Sequence, residues 1–264
     1  MTSKYHTTLQ LAQGTGIAAR AAAAGITPPN AADFDLFSQA NLLRVYEVNE
    51  LAGSTVADDF NDTRGQLIGA GWGSKGVMFS SGGHRLDTGV PVRNAMSVTM
   101  LAKITGTGPL FGPGKYTGTG GATSSGLQAG MNTASGNDSF QVSYFNASGQ
   151  NLKFVNSAGA GVMIGKWRIY QFGIDAAGTW SVTVDGVGAS GGTSAAPVVT
   201  YNDADVTTYP NLFFGSFPGA FYAPMELAWA QIYSTPLSAL ERGKLITFLR
   251  DVVAPDKGIT LGAA

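Results

Sequence analysis

The chain has 264 residues, with 16 Lys and Arg against 17 Asp and Glu, two His and no Cys. The absence of Cys excludes a disulfide scaffold, a zinc–thiolate site and thiol catalysis. A formal net charge of −1 leaves no electrostatic footprint for nucleic acid or for an anionic membrane.

The first fifty residues differ from the rest, with ten Ala and only three Gly. Thr15–Ala24 (TGIAARAAAA) has high helix propensity, and Gly25 stands where a left-handed stop would sit. Pro28-Pro29 then forces extended backbone, and a second short helical stretch covers Ala32–Gln39. Residues 1–41 hold too few large apolar side chains for a core of their own. They read as an arm that lies on the main domain or on another subunit.

From Leu42 onward short apolar or alternating runs are separated by Gly, Ser, Thr, Asn and Asp. The pattern predicts strands at Leu42–Val48, Gly76–Phe79, Met96–Ile104, Ser139–Tyr144, Asn151–Val155, Trp167–Ile174, Thr179–Val184, Asn211–Phe214 and Met225–Tyr233. Val98, Met100, Ala102 and Ile104 alternate with Ser97, Thr99, Leu101 and Lys103, as does a strand with one better-buried face. Asp185-Gly186 is a hairpin signal. Thr105–Gly126 and Gly186–Ala196 are rich in Gly, Thr and Ser and read as long surface loops. Met225–Tyr233 is apolar on both faces, with Leu227 and Trp229 on one and Ala228, Ala230 and Ile232 on the other. That requires cover on both sides. A helix is expected over Ala239–Val253. Ser238 and Glu241 form its capping box, Leu245, Phe248, Leu249, Val252 and Val253 its apolar stripe, and Pro255 its stop. The expected division is an arm (1–41), an all-β antiparallel two-sheet domain (42–254) and a C-terminal tail (255–264).

The order of these segments resembles a laminin-G-like, concanavalin-A-type lectin/glucanase domain over Leu42–Val253. The resemblance runs through Asp58–Gly65 (DDFNDTRG), Gly69–Trp72, the pair Val77–Phe79 and Arg85–Asp87, and Ser97–Ile104. It continues through Trp167 with Tyr170 and Phe172, Trp180–Gly186 (WSVTVDG) and Leu212–Gly215 (LFFG). Its most specific piece is the closing stretch Leu227–Glu241, with Ile232, Tyr233, Leu237, Ser238 and Glu241 in place. The resemblance implies a two-sheet jelly-roll sandwich, and fold alone does not settle function.

Glucanases of this kind carry an E-x-D-x-E strand, because hydrolysis needs paired carboxylates. The chain has only Glu47, Glu50, Glu226 and Glu241, none in such a pattern, so no catalytic residue is assigned. His84 reads as a turn residue, and no nucleophile elbow or Walker loop is present. Lectin-like sandwiches often hold calcium. Asp58, Asp59, Asn61 and Asp62 offer hard oxygen ligands in one turn, and a polar turn closed by side-chain-to-backbone hydrogen bonds explains the same residues. Sugar recognition calls for aromatic platforms on loops, and Trp72, Tyr116, Phe217, Phe221 and Tyr222 fall in expected loops. The last three equally fit a small core beneath a long loop.

A lectin-type sandwich without a cleaved secretion signal, joined to an Ala-rich arm, leads to one expectation: a non-enzymatic bacteriophage virion protein of the tail-fibre or capsid-decoration type. It would sit in the virion, bind sister virion subunits through residues 1–41, form a homo-oligomer and meet host surface glycan. It would need neither nucleic acid nor membrane. The alternatives are an exported carbohydrate-binding module and a glycoside hydrolase with an unusual site.

Overall fold

The structure is a computed structural model that describes residues 41–50, 52–61, 63–112, 127–133, 136–145, 151–191, 211–216 and 222–262. The expected arm helices, Asp62, Tyr116, Phe217 and Phe221 lie outside these residues. Among the described residues the strands are, in chain order, β1 (Leu42–Tyr46), β2 (Thr55–Asp58), β3 (Thr63–Ile68), β4 (Gly71–Trp72), β5 (Val77–Phe79), β6 (Arg85–Pro91), β7 (Met96–Ile104) and β8 (Gly108–Gly112). They continue with β9 (Leu127–Asn132), β10 (Asn137–Phe145), β11 (Asn151–Gly159), β12 (Trp167–Ile174), β13 (Trp180–Val184), β14 (Val187–Gly191), β15 (Asn211–Gly215) and β16 (Met225–Tyr233).

They form two sheets. Sheet A runs β14-β13-β12-β7-β16-β5-β4, with β1 also on β16, and sheet B runs β11-β10-β9-β8-β15-β6-β3-β2. The pairs are antiparallel, as the central β7–β12 and β9–β10 ladders show. The inner faces meet in one core: Val98, Met100, Ala102 and Ile104 of β7 pack with Tyr170, Phe172 and Ile174 of β12 and with Phe140 and Val142 of β10. This is the two-sheet sandwich that the residue pattern and the resemblance imply.

A third layer covers sheet A. Helix α1 (Ala239–Phe248) begins with the expected capping box: the Ser238 side chain accepts from the Glu241 N–H, and the Ser238 N–H donates to Glu241 Oε2 at 2.7 Å. Leu245, Ile246, Phe248, Leu249 and Val253 bury against Leu101, Ile169, Trp229 and Tyr233 on the outer face of the sheet. Pro255 does not stop the helix. Leu249–Val253 widens into a π turn, in which the Ala254 N–H reaches the Leu249 carbonyl, and one more helical turn follows at Ala254–Asp256. The wide turn accommodates a proline that could not donate to residue 251. The real stop is Gly258 at φ +62°, where Gly258 N–H bonds Pro255 O and Ile259 N–H bonds Ala254 O. That is a Schellman closure, with Ile259 buried beside Val253.

Two expectations about strands are corrected. The supposed loops at Thr105–Gly126 and Gly186–Ala196 contain β8 and β14. In β8 a bulge between Pro109 and Phe111 sends both Leu110 and Phe111 into the core, so no two-residue alternation shows in the sequence. The faces of β16 also differ from the simple alternation. A register shift between Leu227 and Trp229 places Leu227, Ala230 and Ile232 in the inter-sheet core, and Ala228, Trp229 and Tyr233 under the helix layer.

Residues 255–262, read as a tail, are tied to the sandwich. Leu261 bridges Trp167, and the Gly262 carbonyl accepts from Arg168 Nη1 at 2.9 Å.

Candidate functional site

Among the described residues the helix layer covers the outer face of sheet A, and no such layer lies on the outer face of sheet B. On β9, Leu127, Ala129 and Met131 point into the core, which turns Gln128, Gly130 and Asn132 outward. On β10, Phe140 and Val142 point inward and Ser139, Gln141 and Ser143 outward. On β11, Phe154 points inward, leaving Lys153, Val155 and Ser157 outside.

The register aligns these side chains in three cross-strand rows. Ser157 stands opposite Ser139 and Ser139 opposite Asn132; Val155, Gln141 and Gly130 form the middle row; Lys153, Ser143 and Gln128 form the third. The Ser139 and Ser157 hydroxyls are 2.8 Å apart. Gln128, Asn132, Gln141 and Ser143 are half-buried, while Lys153 and Val155 are exposed. Rows of this spacing, roughly 5 Å between strands, offer amide and hydroxyl donors and acceptors beside one small apolar side chain. The chemistry fits a neutral or singly anionic polyhydroxyl ligand. Gly130 keeps the middle row open toward β8, because a Cβ there would meet the Gly108 carbonyl at 3.1 Å. Farther along the sheet, Asp87 on β6 accepts from the Gly89 N–H and from Asn211 Nδ2 at 3.2 Å, so its oxygens brace the strands.

Of the expected aromatic platforms, Tyr222 is half-buried, and its backbone lies against Gly108 at the start of β8, next to Gly130. Trp72 is elsewhere. It forms the short edge strand β4, packs on the core and donates its indole N–H to the Gly53 carbonyl at 2.9 Å. The structure therefore does not join Trp72 and Tyr222 into one platform. Trp229 is fully buried, and Trp180 stacks on Phe154 with ring centres 4.7 Å apart.

The Asp58 turn is closed by its own hydrogen bonds. Asp58 Oδ1 accepts from the Val45 and Phe60 N–H groups; Oδ2 accepts from Thr63 Oγ1 at 2.9 Å and Asn61 Nδ2 at 3.1 Å, with Arg44 Nε at 3.4 Å. Asp59 Oδ2 takes the Glu47 N–H. Burial pushes the Asp59 carboxyl up to about 6; Glu50 and Asp58 add to the shift, while the Glu47 N–H and Lys257 oppose it. Among the described residues no group of three or more His, Asp or Glu is arranged to hold a metal ion. Arg44 and these N–H and O–H donors satisfy both Asp58 oxygens, and Asp62, the fourth expected ligand, lies outside the described residues.

Glu226 is buried, accepts from the Lys75 N–H at 2.6 Å and fills the space that a Gly73 side chain would need, so it anchors the β4–β5 turn. His84 is a turn residue whose Nδ1 accepts from the Ser80 N–H at 3.3 Å. Asp185 does more than turn a hairpin. At φ +52° it receives Arg168 Nη1 at 2.7 Å and the Ile169 N–H at 2.8 Å, and it is the counter-ion of a buried guanidinium.

The polar rows of β9–β11 were not singled out from the sequence. Their signal is the two-residue alternation of Gln128, Gly130 and Asn132 with Leu127, Ala129 and Met131, and of Ser139, Gln141 and Ser143 with Phe140 and Val142.

Neither a protein-family model nor a curated protein sequence matches the chain. Solved structures do. A Trypanosoma rangeli sialidase in complex with sialic acid superposes with a TM-score of 0.58 at 16% identity, covering 81% of this chain and 34% of that one. The binding domain of botulinum neurotoxin serotype D gives 0.56 at 10% identity, covering 80% and 53%. The ligand-binding domain of the same toxin in complex with N-acetylneuraminic acid gives 0.55 at 9% identity, covering 80% and 52%. The chain thus spans about a third to a half of the length of these proteins, and the likeness is one of fold.

Proposed function

We propose that this chain is a non-catalytic carbohydrate-binding sandwich, and that sugar lies across the outer face of β9, β10 and β11. The observation that carries this reading is the set of aligned amides and hydroxyls from Gln128, Asn132, Ser139, Gln141 and Ser143. Hydroxyl-rich ligands are held by such groups, and half-buried side chains lose little freedom on binding. Lys153 at the end of one row gives a sugar carboxylate a cation, and sialic acid complexes of proteins that share the fold make sialylated glycans the first class to try. Hydrolysis of most glycosides needs a positioned pair of carboxylates and that of sialosides a nucleophilic tyrosine, and the three outward rows contain no Asp, Glu or Tyr. Asp138, at the start of β10, is buried and accepts from the Met163 and Ile164 N–H groups.

The virion setting, with residues 1–41 joining the sandwich to sister subunits, belongs to the same reading as its outer frame. It rests on the Ala-rich arm.

A glycan array carrying sialylated and neutral oligosaccharides tests the core of this proposal. The chain is expected to bind a defined subset, and EGTA is expected to leave binding unchanged. The pair Gln128→Ala and Gln141→Ala should abolish the signal without lowering the melting temperature. Binding that survives both substitutions would place the ligand elsewhere.

A further inference from the structure

The two sheet orders end in four strands, and one of these is long. β11 has nine residues, against five in β14, four in β2 and two in β4. Its ladder with β10 runs through nine consecutive pairs without a bulge, and among the described residues β11 pairs with no other strand. Short length, proline, bulges and charge are what keep a free edge from pairing. β11 has no proline, no bulge and one charged side chain, Lys153. The sandwich is also open on this side. Val187 of β14 stands opposite Val184, a core residue, so it faces the space between the sheets, yet it is 70% exposed. Asn156 of β11 reaches across the opening and donates from Nδ2 to the Val187 carbonyl at 2.8 Å. Val155, on the outer face of β11, is 36% exposed. Two of the four exposed large apolar side chains among the described residues therefore flank one edge.

We propose that this edge binds a second copy of the chain, with β11 antiparallel to the partner's β11 about a two-fold axis at Val155. The strand's own sequence selects a copy of itself. Val155 is the middle residue of Asn151–Gly159, so an axis there pairs all nine residues. It sets Val155 against the partner's Val155, Lys153 against the partner's Ser157 and Phe154 against the partner's Asn156. The one cation of the strand meets a hydroxyl on both halves, whereas an axis at Lys153 would set two ammonium groups face to face. The two eight-stranded B sheets become one sheet of sixteen. Backbone groups on the open side of β11 gain partners, and each Val155 covers the other. The contact is separate from residues 1–41 and stands whether or not the chain binds sugar. Combined with the sugar-binding reading, on which this last step rests, it sets the outer rows of two copies side by side. The row of Gln128, Ser143 and Lys153 continues into the partner's Ser157, the partner's Ser139 and the partner's Asn132. A long glycan would then engage both copies, with the gain in avidity of linked sites.

The chain has no Cys, so a single introduced thiol reports on this contact alone. Val155→Cys in the full-length chain, treated with a short bis-maleimide, is expected to give a species of twice the chain mass on a denaturing gel. Lys153→Cys alone should give far less, because its two thiols would stand about 14 Å apart. Lys153→Cys mixed with Ser157→Cys should link. Leu240→Cys, at a helix residue that is 70% exposed, sets the rate of chance collision. In sedimentation, Val155→Lys, which opposes two cations across the axis, should halve the mass of the particle while circular dichroism still reports a folded β protein. The proposal is overturned if Val155→Cys links no faster than Leu240→Cys, if the mixture links no better than Lys153→Cys alone, or if folded Val155→Lys keeps the parent's mass. Such a failure leaves the polar rows of a single copy, and the glycan array that tests them, as they were.

Discussion

Asp59 works against the fold where most carboxylates help it. Its carboxyl is raised to about 6 from an ordinary 3.8, chiefly by burial. A raised carboxyl binds its proton more tightly in the folded state than in the unfolded one, so stability falls as pH rises through the interval between those values. The penalty is complete above about pH 6 and absent below about pH 4. Asp59→Asn keeps an oxygen for the Glu47 N–H and removes the charge. It is expected to stabilise the protein at pH 8 by about 1–2 kcal/mol, after allowance for partial solvent screening. At pH 4 it should have no effect. Thermal melts of both proteins at the two pH values test this, and an equal gain at both would show that charge is not the cause.

Between elements, one side chain ties three segments together. Arg168 is 1% exposed; it gives Nε and Nη2 to the Val162 carbonyl, and Nη1 to Asp185 and to the Gly262 carbonyl. Replacing it by Met leaves two carbonyls and the half-buried Asp185 carboxylate without the guanidinium, with only the Ile169 N–H still donating to Asp185. The expected loss is about 3–5 kcal/mol in a urea titration. Adding Asp185→Asn, which tolerates the left-handed backbone, should recover part of it. If the single variant loses under about 1 kcal/mol, water replaces the guanidinium and the tie is weak. Nothing in the sequence around Arg168 announces this role, because its partners are 6, 17 and 94 residues away. The elements themselves were far more legible. Met96–Ile104, Trp167–Ile174 and Met225–Tyr233 are read from periodicity to the residue. Where the period broke, the faces were not legible: the bulge in β8 hid a strand in the middle of sheet B, and the bulge in β16 put Leu227 and Trp229, expected on one face, on opposite faces. The polar rows of the candidate site escaped notice for a related reason. Aromatic residues attract the eye as sugar platforms, whereas Gln, Ser and Asn on alternate positions look like any solvated strand face until the register aligns them.

For the whole molecule, sheet B, sheet A and the helix form three layers among the described residues. The sandwich begins at Asn41, whose carbonyl accepts the Ser234 N–H at 2.8 Å. Deleting residues 1–40 is therefore expected to leave the melting temperature within a few degrees of the parent. If the arm joins subunits, light scattering should then show a smaller particle. An unfolded truncation would mean that the arm completes the core. In the proposed reading recognition falls to one face: among the described residues the helix layer covers sheet A, and the rows of β9, β10 and β11 lie on the outer face of sheet B. Titration of the isotope-labelled protein with a sialylated oligosaccharide that it binds, followed by amide chemical shifts, tests this most directly. Shifts confined to residues 127–132, 139–143 and 153–157 are predicted. Shifts centred on the Asp58 turn or on Trp72, with β9–β11 unmoved, would contradict it.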